Sequence, residues 1–339
     1  MAKEVTGTTW TVYDANTMTQ AEIYGAVLCE LGDKHPNIVG LSADLAKSTK
    51  IGVFGDKFPE RFFNVGIAEQ NMFGVAAGLA KSGLLPFVST MAAFTAMRGL
   101  EQVRTDICYQ KLDVKMIATH GGVSFGAAGT THHCTEDIAI MRSLANMTVI
   151  VPADGIETAC AVRACVDHPG PVYIRIGRGF EPLYYTDENY GFQIGKAVTI
   201  SEGTDITLIC CGVTVLQASQ AAQTLKEQDG LSVRVLNMHT IKPIDEEAIM
   251  KAVLETRRII TLEDHNIFGG MGSAVADVIA KSGKGCAFEK VGIPDCYCVV
   301  GYPEDLYCHY KLDSDSIVDK VREVMGRDFE EDESWEDEV

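Results

Sequence analysis

Apolar and polar positions along this chain change their period between short runs and longer segments. Short runs rich in β-branched residues predict five strands in the first half, at Ile38 to Ser42, Pro86 to Ser89, Val114 to Thr119, Thr148 to Val151 and Val172 to Ile174. Segments of helical period predict helices near Thr19–Lys34, Ala68–Lys81, Ala92–Lys111, Glu136–Leu144 and Gly155–Val166. Strands that alternate with helices are typical of a parallel sheet with helices on its faces.

A second alternating series follows a segment that is rich in Gly, Pro and Tyr and has no clear period. It predicts strands at Ile206–Cys210, Ser232–Leu236, Arg258–Thr261 and Glu289–Gly292, and helices near Val215–Glu227, Asp245–Glu255 and Met271–Lys281. The fold class is therefore α/β, with two open α/β domains. The predicted boundaries are an N-terminal extension at 1–15, a first domain at 16–178, a linker at 179–193, a second domain at 194–326 and an acidic tail at 327–339.

Composition and charge exclude several classes of function. A net charge of −18 would repel nucleic acid, and the last thirteen residues, with eight acids and one base, are interpreted as a solvated tail. No apolar run reaches the roughly 18 residues that span a bilayer, and the first residues are too polar for a signal peptide. Eleven cysteines without a regular framework fit reduced thiols. We therefore expect a cytoplasmic protein that binds neither nucleic acid nor membrane.

Glu69 is the first residue with candidate chemistry. It opens a predicted helix whose continuation, residues 73–80, consists mostly of Gly, Ala and other apolar residues. Small residues let another backbone approach closely, so a carboxylate at this position would be largely desolvated. On physical grounds alone, the alternative is a glutamate that is favoured by the positive end of the helix dipole.

Six ordered blocks carry a family resemblance. They are Ser42-Ala-Asp-Leu45, Val65-Gly-Ile-Ala-Glu-Gln-Asn71, Pro86-Phe-Val-Ser-Thr90 with Phe94, Ala118-Thr-His120, Gly129-Thr-Thr-His132 and Arg175-Ile-Gly-Arg178. In order and spacing they resemble the transketolases, over residues 15–325. The resemblance implies that the first domain is a thiamine-diphosphate pyrimidine-binding domain and the second a transketolase C-terminal domain. Some transketolases are split into two genes at this point, and this chain resembles the C-terminal subunit.

The resemblance implies a catalytic role for Glu69 and contacts to thiamine diphosphate from its neighbours. In the family this carboxyl, protonated or sharing a proton, hydrogen-bonds the N1′ nitrogen of the aminopyrimidine and so helps the cofactor lose its thiazolium proton. By resemblance, Phe94 lies against the pyrimidine ring and Ile67 makes an apolar contact to the cofactor. Asp44 lies in the block that approaches the thiazolium side, and Met91 lies beside the pyrimidine.

Substrate contacts are also implied by the resemblance. His120, His132 and Arg178 match the family's substrate residues, with the histidines near the reacting hydroxyls and the phosphate, and the arginine on the phosphate. His132 is accordingly a second catalytic candidate. A lone histidine more often makes a structural hydrogen bond, and the role of the adjacent His133 stays open.

Several positions depart from the family pattern. Met91 and Met97 stand where many transketolases place aromatic residues around the pyrimidine, which predicts a looser pocket. Ala128 replaces an acidic residue that contacts a sugar hydroxyl, and Asn16 stands where an arginine often binds phosphate. The ketose donor and aldose acceptor are therefore open, and a ketose with a different terminal group is compatible with the sequence.

The diphosphate-binding half is not found in this sequence. No Gly-Asp-Gly motif is present, and Gly55-Asp-Lys57 and Gly32-Asp-Lys34 lack its second glycine. We therefore expect no metal ligand in this chain. By resemblance, an N-terminal subunit supplies the diphosphate site with Mg²⁺ or Ca²⁺, in a heterotetramer of two plus two chains, and the chain alone is inactive. Residues 73–80 and 91–103 are candidate interface helices or ordinary intradomain packing.

The second domain is interpreted as structural. Its segment Thr261 to Ser273 combines a strand, a glycine-rich turn and a helix start, which could bind an anion, but structural packing is favoured for the turn and for His265. The leading hypothesis is transfer of a two-carbon ketol unit between sugar phosphates or related ketoses and aldoses. The alternatives are a β-type subunit of a 2-oxo acid dehydrogenase and a non-catalytic assembly partner.

Overall fold

A computed structural model of the chain describes residues 18–179 and 182–327. The predicted N-terminal extension, Asn16 and the predicted tail beyond Arg327 lie outside the described residues. Within them the strands are β1 Ile38–Ser42, β2 Phe62–Asn64, β3 Leu85–Met91, β4 Lys115–Thr119, β5 Thr148–Ile150, β6 Val172–Arg175, β7 Val198–Ser201, β8 Ile206–Cys210, β9 Val233–Asn237, β10 Thr240–Lys242, β11 Arg258–Asn266 and β12 Ala287–Ile293.

The strands form two sheets. The larger sheet has the order β10-β5-β6-β4-β3-β1-β2, and all its strands are parallel except β10, which runs antiparallel to β5. The smaller sheet has the order β12-β11-β8-β9-β7, with β7 antiparallel at its edge. Because β6, β4, β3 and β1 are neighbours, the loops that follow them meet at one edge of the larger sheet.

Helices cover both sheets. In chain order they are α1 Gln20–Lys34, α2 Gly52–Lys57, α3 Glu69–Lys81, α4 Leu100–Gln102, α5 Asp137–Ser143, α6 Gly155–Val166, α7 Thr214–Asp229, α8 Glu246–Glu255, α9 Met271–Ser282, α10 Pro303–His309 and α11 Ser314–Met325. Local chemistry explains where they begin. Thr19 and Glu22 form a capping box at α1, in which the Glu22 N–H donates to the Thr19 hydroxyl over 3.2 Å and the Glu22 carboxylate accepts the Thr19 N–H over 2.9 Å.

Apolar residues pack on both faces of the strands. One buried cluster contains Ile38, Phe87 and Leu208, and a second contains their sequence neighbours Val39, Val88 and Ile209. Side chains alternate between the two faces of a strand, so each cluster lies on one side of both sheets. The parallel strands are therefore buried on both faces, as helix-covered sheets require.

Two features differ from the sequence prediction. The predicted helix Ala92–Lys111 is interrupted by π-helical segments, Phe94–Arg98 and Val103–Cys108, on either side of α4. Gly99 lies between them, and a Cβ there would approach the Phe73 ring to 2.3 Å. Strand β10 was not predicted, and it carries residues of the predicted second domain into the sheet of the first. The segments α2, β2, β7, α10 and α11 were also not predicted.

Candidate active site

Glu69 begins α3 at the edge where the parallel strands end. Its side chain is 4% exposed. The turn before it is held by Asn64, whose amide oxygen accepts the N–H groups of Asp44, over 3.0 Å, and of Gly66, over 3.2 Å. Asn64 therefore ties the loop after β1 to the loop that carries Glu69.

Glu69 is in contact with an arginine that stacks on an aromatic ring. Arg98 donates from Nη1 to Glu69 Oε1 over 3.1 Å. The same guanidinium lies over the ring of Phe94, with Cζ 3.8 Å from the ring centroid. Phe94 and Arg98 are the first and last residues of one π-helical segment, and this places both side chains beside the start of α3.

An open groove of about 620 Å³ lies at this point. Its lining residues include Glu69, Asn71 and Arg98, together with the exposed side chains of Ile67 and Met97. The exposed fractions of Ile67 and Met97 are 77% and 48%. Large apolar side chains at the mouth of a groove are typical of a surface that binds a ligand or another chain.

The other predicted cofactor residues lie on neighbouring loops. Met91 is the buried last residue of β3, and its carbonyl accepts the Thr95 hydroxyl over 3.2 Å. Asp44 is exposed and has a φ of 61°, a left-handed backbone that aspartate tolerates. The structure thus places Asp44, Met91 and Glu69 on loops at one sheet edge.

The substrate candidates surround a residue that the sequence analysis did not single out, Phe125. Its ring centroid lies 5.0 Å from that of His120 and 5.5 Å from that of His132. The guanidinium of Arg178 lies over its face at 4.3 Å. His132 also meets the edge of Phe94, with ring centroids 5.8 Å apart. One continuous line of side-chain contacts therefore connects Glu69, through the groove, to all three predicted substrate residues.

His120 is electrically neutral near pH 7. Burial, followed by the nearby positive charges of Arg178 and His132, lowers its pKa from 6.5 to about 4. Its Nδ1 lies 2.7 Å from the hydroxyl of Thr119. A neutral imidazole in this position can donate or accept a hydrogen bond to a hydroxyl group, while the positive charge for an anion comes from Arg178.

The loop between the two histidines is shaped by glycine and by His133. The predicted departure Ala128 lies in a 3₁₀ turn, Gly126–Ala128, and this turn is followed by Gly129 with a φ of 73°. His133 is buried, and its Nε2 donates to the carbonyl of Gly126 over 3.1 Å. This hydrogen bond gives His133 a structural role in holding the turn.

The second domain holds this loop in place through Asp264. Both oxygens of its buried carboxylate lie 3.2 Å from the Val123 nitrogen, whose N–H they accept. A Cβ at Gly122 would come within 1.9 Å of the same carboxylate, so only glycine fits there. Arg175 donates to the Asp264 carbonyl over 2.6 Å and forms a buried ion pair with Asp137 over 3.2 Å. The substrate loop is therefore fixed by the second domain.

His265 makes the structural bonds that the sequence analysis favoured. Its Nδ1 donates to the Asn266 carbonyl over 2.7 Å, and its Nε2 accepts the Ala139 N–H over 3.3 Å. Beside it, the Glu263 carboxylate accepts the N–H groups of Met271 and Gly272 at the start of α9. The glycine-rich turn is thus occupied by a carboxylate of this chain.

Among residues 18–179 and 182–327, no group of three or more His, Cys, Asp or Glu side chains could hold a metal ion. No helix in the same described ranges is long and apolar enough to cross a membrane. The cytoplasmic location stays a prediction.

Two family models match this chain. Residues 16–180 match the transketolase pyrimidine-binding domain, and residues 195–317 match the transketolase C-terminal domain. The α/β fold with its two domain types agrees with both.

Relatives cover nearly the whole chain. One of the two subunits of an apulose-4-phosphate transketolase from Phocaeicola vulgatus is 42% identical over 88% of this chain and 95% of its own length. A 6-deoxy-6-sulfo-D-fructose transketolase subunit from a Clostridium species is 38% identical over 90% and 94%. A solved structure described as a split gene transketolase, inactive beta4 tetramer, is 42% identical over 91% and 98%, with a TM-score of 0.82. The chain therefore belongs to the transketolase family, as the counterpart of the C-terminal subunit of a split enzyme.

Proposed function

We propose that this chain is the C-terminal subunit of a thiamine-diphosphate-dependent transketolase that moves a two-carbon ketol unit from a ketose to an aldose. The observation that carries the proposal is the buried Glu69 at an open groove, joined by side-chain contacts to His120, His132 and Arg178. A carboxyl group for the cofactor and polar groups for a sugar are thereby next to each other.

The residues at the groove fit an aminopyrimidine. Glu69 offers a desolvated carboxyl group, and Phe94 offers an aromatic face. When bound, thiamine diphosphate supplies the carbanion chemistry that breaks and forms the carbon–carbon bond. Glu69 holds a proton at the pyrimidine nitrogen N1′, and Phe94 and Ile67 orient the ring between them. Asp44 and Met91 belong to the same cofactor site.

The sugar lies against the loop that contains Phe125. Arg178 binds an anionic end of the substrate, His120 hydrogen-bonds a hydroxyl group in its neutral form, and His132 moves a proton at a reacting hydroxyl. Ala128 has no acceptor for a sugar hydroxyl, so we propose a ketose that differs from the common pentose phosphates. The two named relatives, described as acting on apulose 4-phosphate and on a sulfonated fructose, fit such variation.

A second chain completes the site in this proposal. An N-terminal subunit holds the diphosphate together with Mg²⁺ or Ca²⁺, and two copies of each chain form the active heterotetramer. The description of a 42% identical chain as an inactive beta4 tetramer fits an enzyme that needs its partner.

The test mixes this chain with the N-terminal subunit encoded in the same genome, thiamine diphosphate and Mg²⁺. Ketol transfer is assayed across a panel of ketoses and aldoses that includes phosphorylated and sulfonated donors. Activity in the mixture, with none for either chain alone, is the expected result. Decarboxylation of a 2-oxo acid without ketol transfer, or failure of the chains to associate, would contradict the proposal.

A further inference from the structure

Arg98 makes both contacts that the aminopyrimidine of the cofactor needs. One contact is a hydrogen bond to the Glu69 carboxylate, which Arg98 forms over 3.1 Å. The other is the face of Phe94, over which its Cζ lies at 3.8 Å. A guanidinium group is flat, carries several N–H donors and stacks on aromatic rings, so it resembles a small heteroaromatic ring in shape and in hydrogen bonding.

We propose that Arg98 is a placeholder that occupies the aminopyrimidine position in the unassembled chain and must move aside when the cofactor binds. This inference rests on the proposed function of Glu69 and Phe94. A stacked group at 3.8 Å fills the van der Waals space over that ring face, and an aminopyrimidine cannot share it.

The surroundings allow Arg98 to leave without unfolding the site. Its side chain is 50% exposed, whereas Glu69 is 4% exposed. Arg98 lines the open groove, next to the exposed Met97. The mobile partner of the pair is therefore the arginine, and the fixed partner is the carboxylate.

The charge of Arg98 also suits a placeholder. A guanidinium group that donates to Glu69 favours the ionised carboxylate, whereas the proposed proton relay requires a protonated or proton-sharing carboxyl group. Departure of Arg98 leaves the carboxyl buried without a positive partner, and this favours its protonation. Cofactor entry would thereby convert Glu69 from its resting form to its working form.

The test measures cofactor affinity in the assembled complex of this chain with its N-terminal subunit. Calorimetric titration with thiamine diphosphate and Mg²⁺ is carried out for the unaltered complex, Arg98→Met, Arg98→Lys and the control Arg104→Met. Arg104 is an exposed arginine on the following π-helical segment and has the same charge. Loss of one ion pair and one cation–π contact corresponds to a gain in affinity of about five- to thirtyfold for Arg98→Met.

Each outcome bears on the placeholder. Arg98→Lys, which keeps the charge but loses the flat face, is expected to lie between the unaltered complex and Arg98→Met, and Arg104→Met is expected to match the unaltered complex. Unchanged or weaker binding by Arg98→Met would overturn the inference and leave the proposed function standing. If the assembled complex binds no cofactor in any form, the proposed function fails with it.

A measurement on the free chain tests the resting contact itself. Melting temperatures are compared for Glu69→Gln, Arg98→Met and the double variant. Coupled side chains give shifts that do not add. Additive shifts would mean that Glu69 and Arg98 do not interact in solution, and would overturn the inference.

Discussion

Acidification from pH 7 to pH 5 is expected to destabilise this chain through His120. In the unfolded chain this histidine takes up a proton near its usual pKa of 6.5, whereas burial, with the charges of Arg178 and His132, lowers the folded pKa to about 4. The unfolded state therefore binds more protons between these values. The contribution of His120 to the free energy of unfolding is fully present above pH 6.5 and falls as the pH decreases toward 4.

The two pKa values set the magnitude. At pH 5 the difference corresponds to a loss of about 2 kcal/mol in the free energy of unfolding relative to pH 7. Other buried groups also change with pH. His239, with a pKa that burial lowers to about 4, acts in the same direction. Burial raises the pKa of Glu157 to about 7, so its destabilising effect is relieved as the pH falls from 7 to 4.5, and it acts in the opposite direction.

A variant isolates the effect of His120. His120 has a φ of 62°, and asparagine tolerates this left-handed backbone without an ionisable group, so His120→Asn is the suitable replacement. Urea unfolding at pH 7 and pH 5 should show that the unaltered chain loses about 2 kcal/mol more than the variant. In addition, NMR of ¹³C-labelled histidine rings should show one resonance, missing in the variant, that titrates near pH 4.

The opposite result would refute the packing described around Phe125. A titration midpoint near 6.5, or equal pH dependence in the unaltered chain and in His120→Asn, would mean that the His120 ring is hydrated. The neutral hydrogen-bonding role that we propose for His120 would then lose its basis.

Three other predictions test the loop and its support. Gly122→Ala should cost at least about 2 kcal/mol more than the control Gly170→Ala in urea unfolding, because both glycines have positive φ but only the first lies against a buried carboxylate, and equal costs would contradict this. Phe125→Leu should raise KM for an anionic ketose about fivefold in the assembled enzyme, through loss of the cation–π contact, while Tyr109→Leu at an exposed site should leave KM unchanged. Tyr173→Phe should lower the free energy of unfolding by about 1.5 to 3 kcal/mol, because it removes a buried 2.6 Å hydrogen bond to a carboxylate, and a loss below about 0.5 kcal/mol would argue against that bond.

Strong local patterns allowed much of the fold to be predicted. Strands β1 and β8 and helix α6 have the predicted bounds, because their apolar runs and glycine or polar ends are encoded locally. Strand β10 has three residues and is held at the edge of the sheet by pairing with the distant β5. A segment that short carries too little periodicity to be recognised from sequence.

The candidate site was predictable only in part. The resemblance singled out Glu69 and the substrate histidines, but Arg98 and Phe125 were missed. Arg98 meets Glu69 across 29 positions of sequence, and only the π-helical turn brings its side chain to the groove. Spacing that assumes an ordinary helix does not predict that contact. The Asp264 support was also missed, because its partner Val123 lies 141 positions away in the other domain.

The proposed function depends above all on Glu69, which holds the proton needed to activate the cofactor. The decisive measurement compares ketol transfer by the assembled complex with that of Glu69→Gln, with Glu101→Gln, an exposed glutamate on α4, as the control. We expect that Glu69→Gln assembles and binds thiamine diphosphate but loses at least about a hundredfold in kcat, whereas Glu101→Gln retains its activity. A Glu69→Gln complex that turns over within about threefold of the unaltered enzyme would contradict the proton-holding role of Glu69.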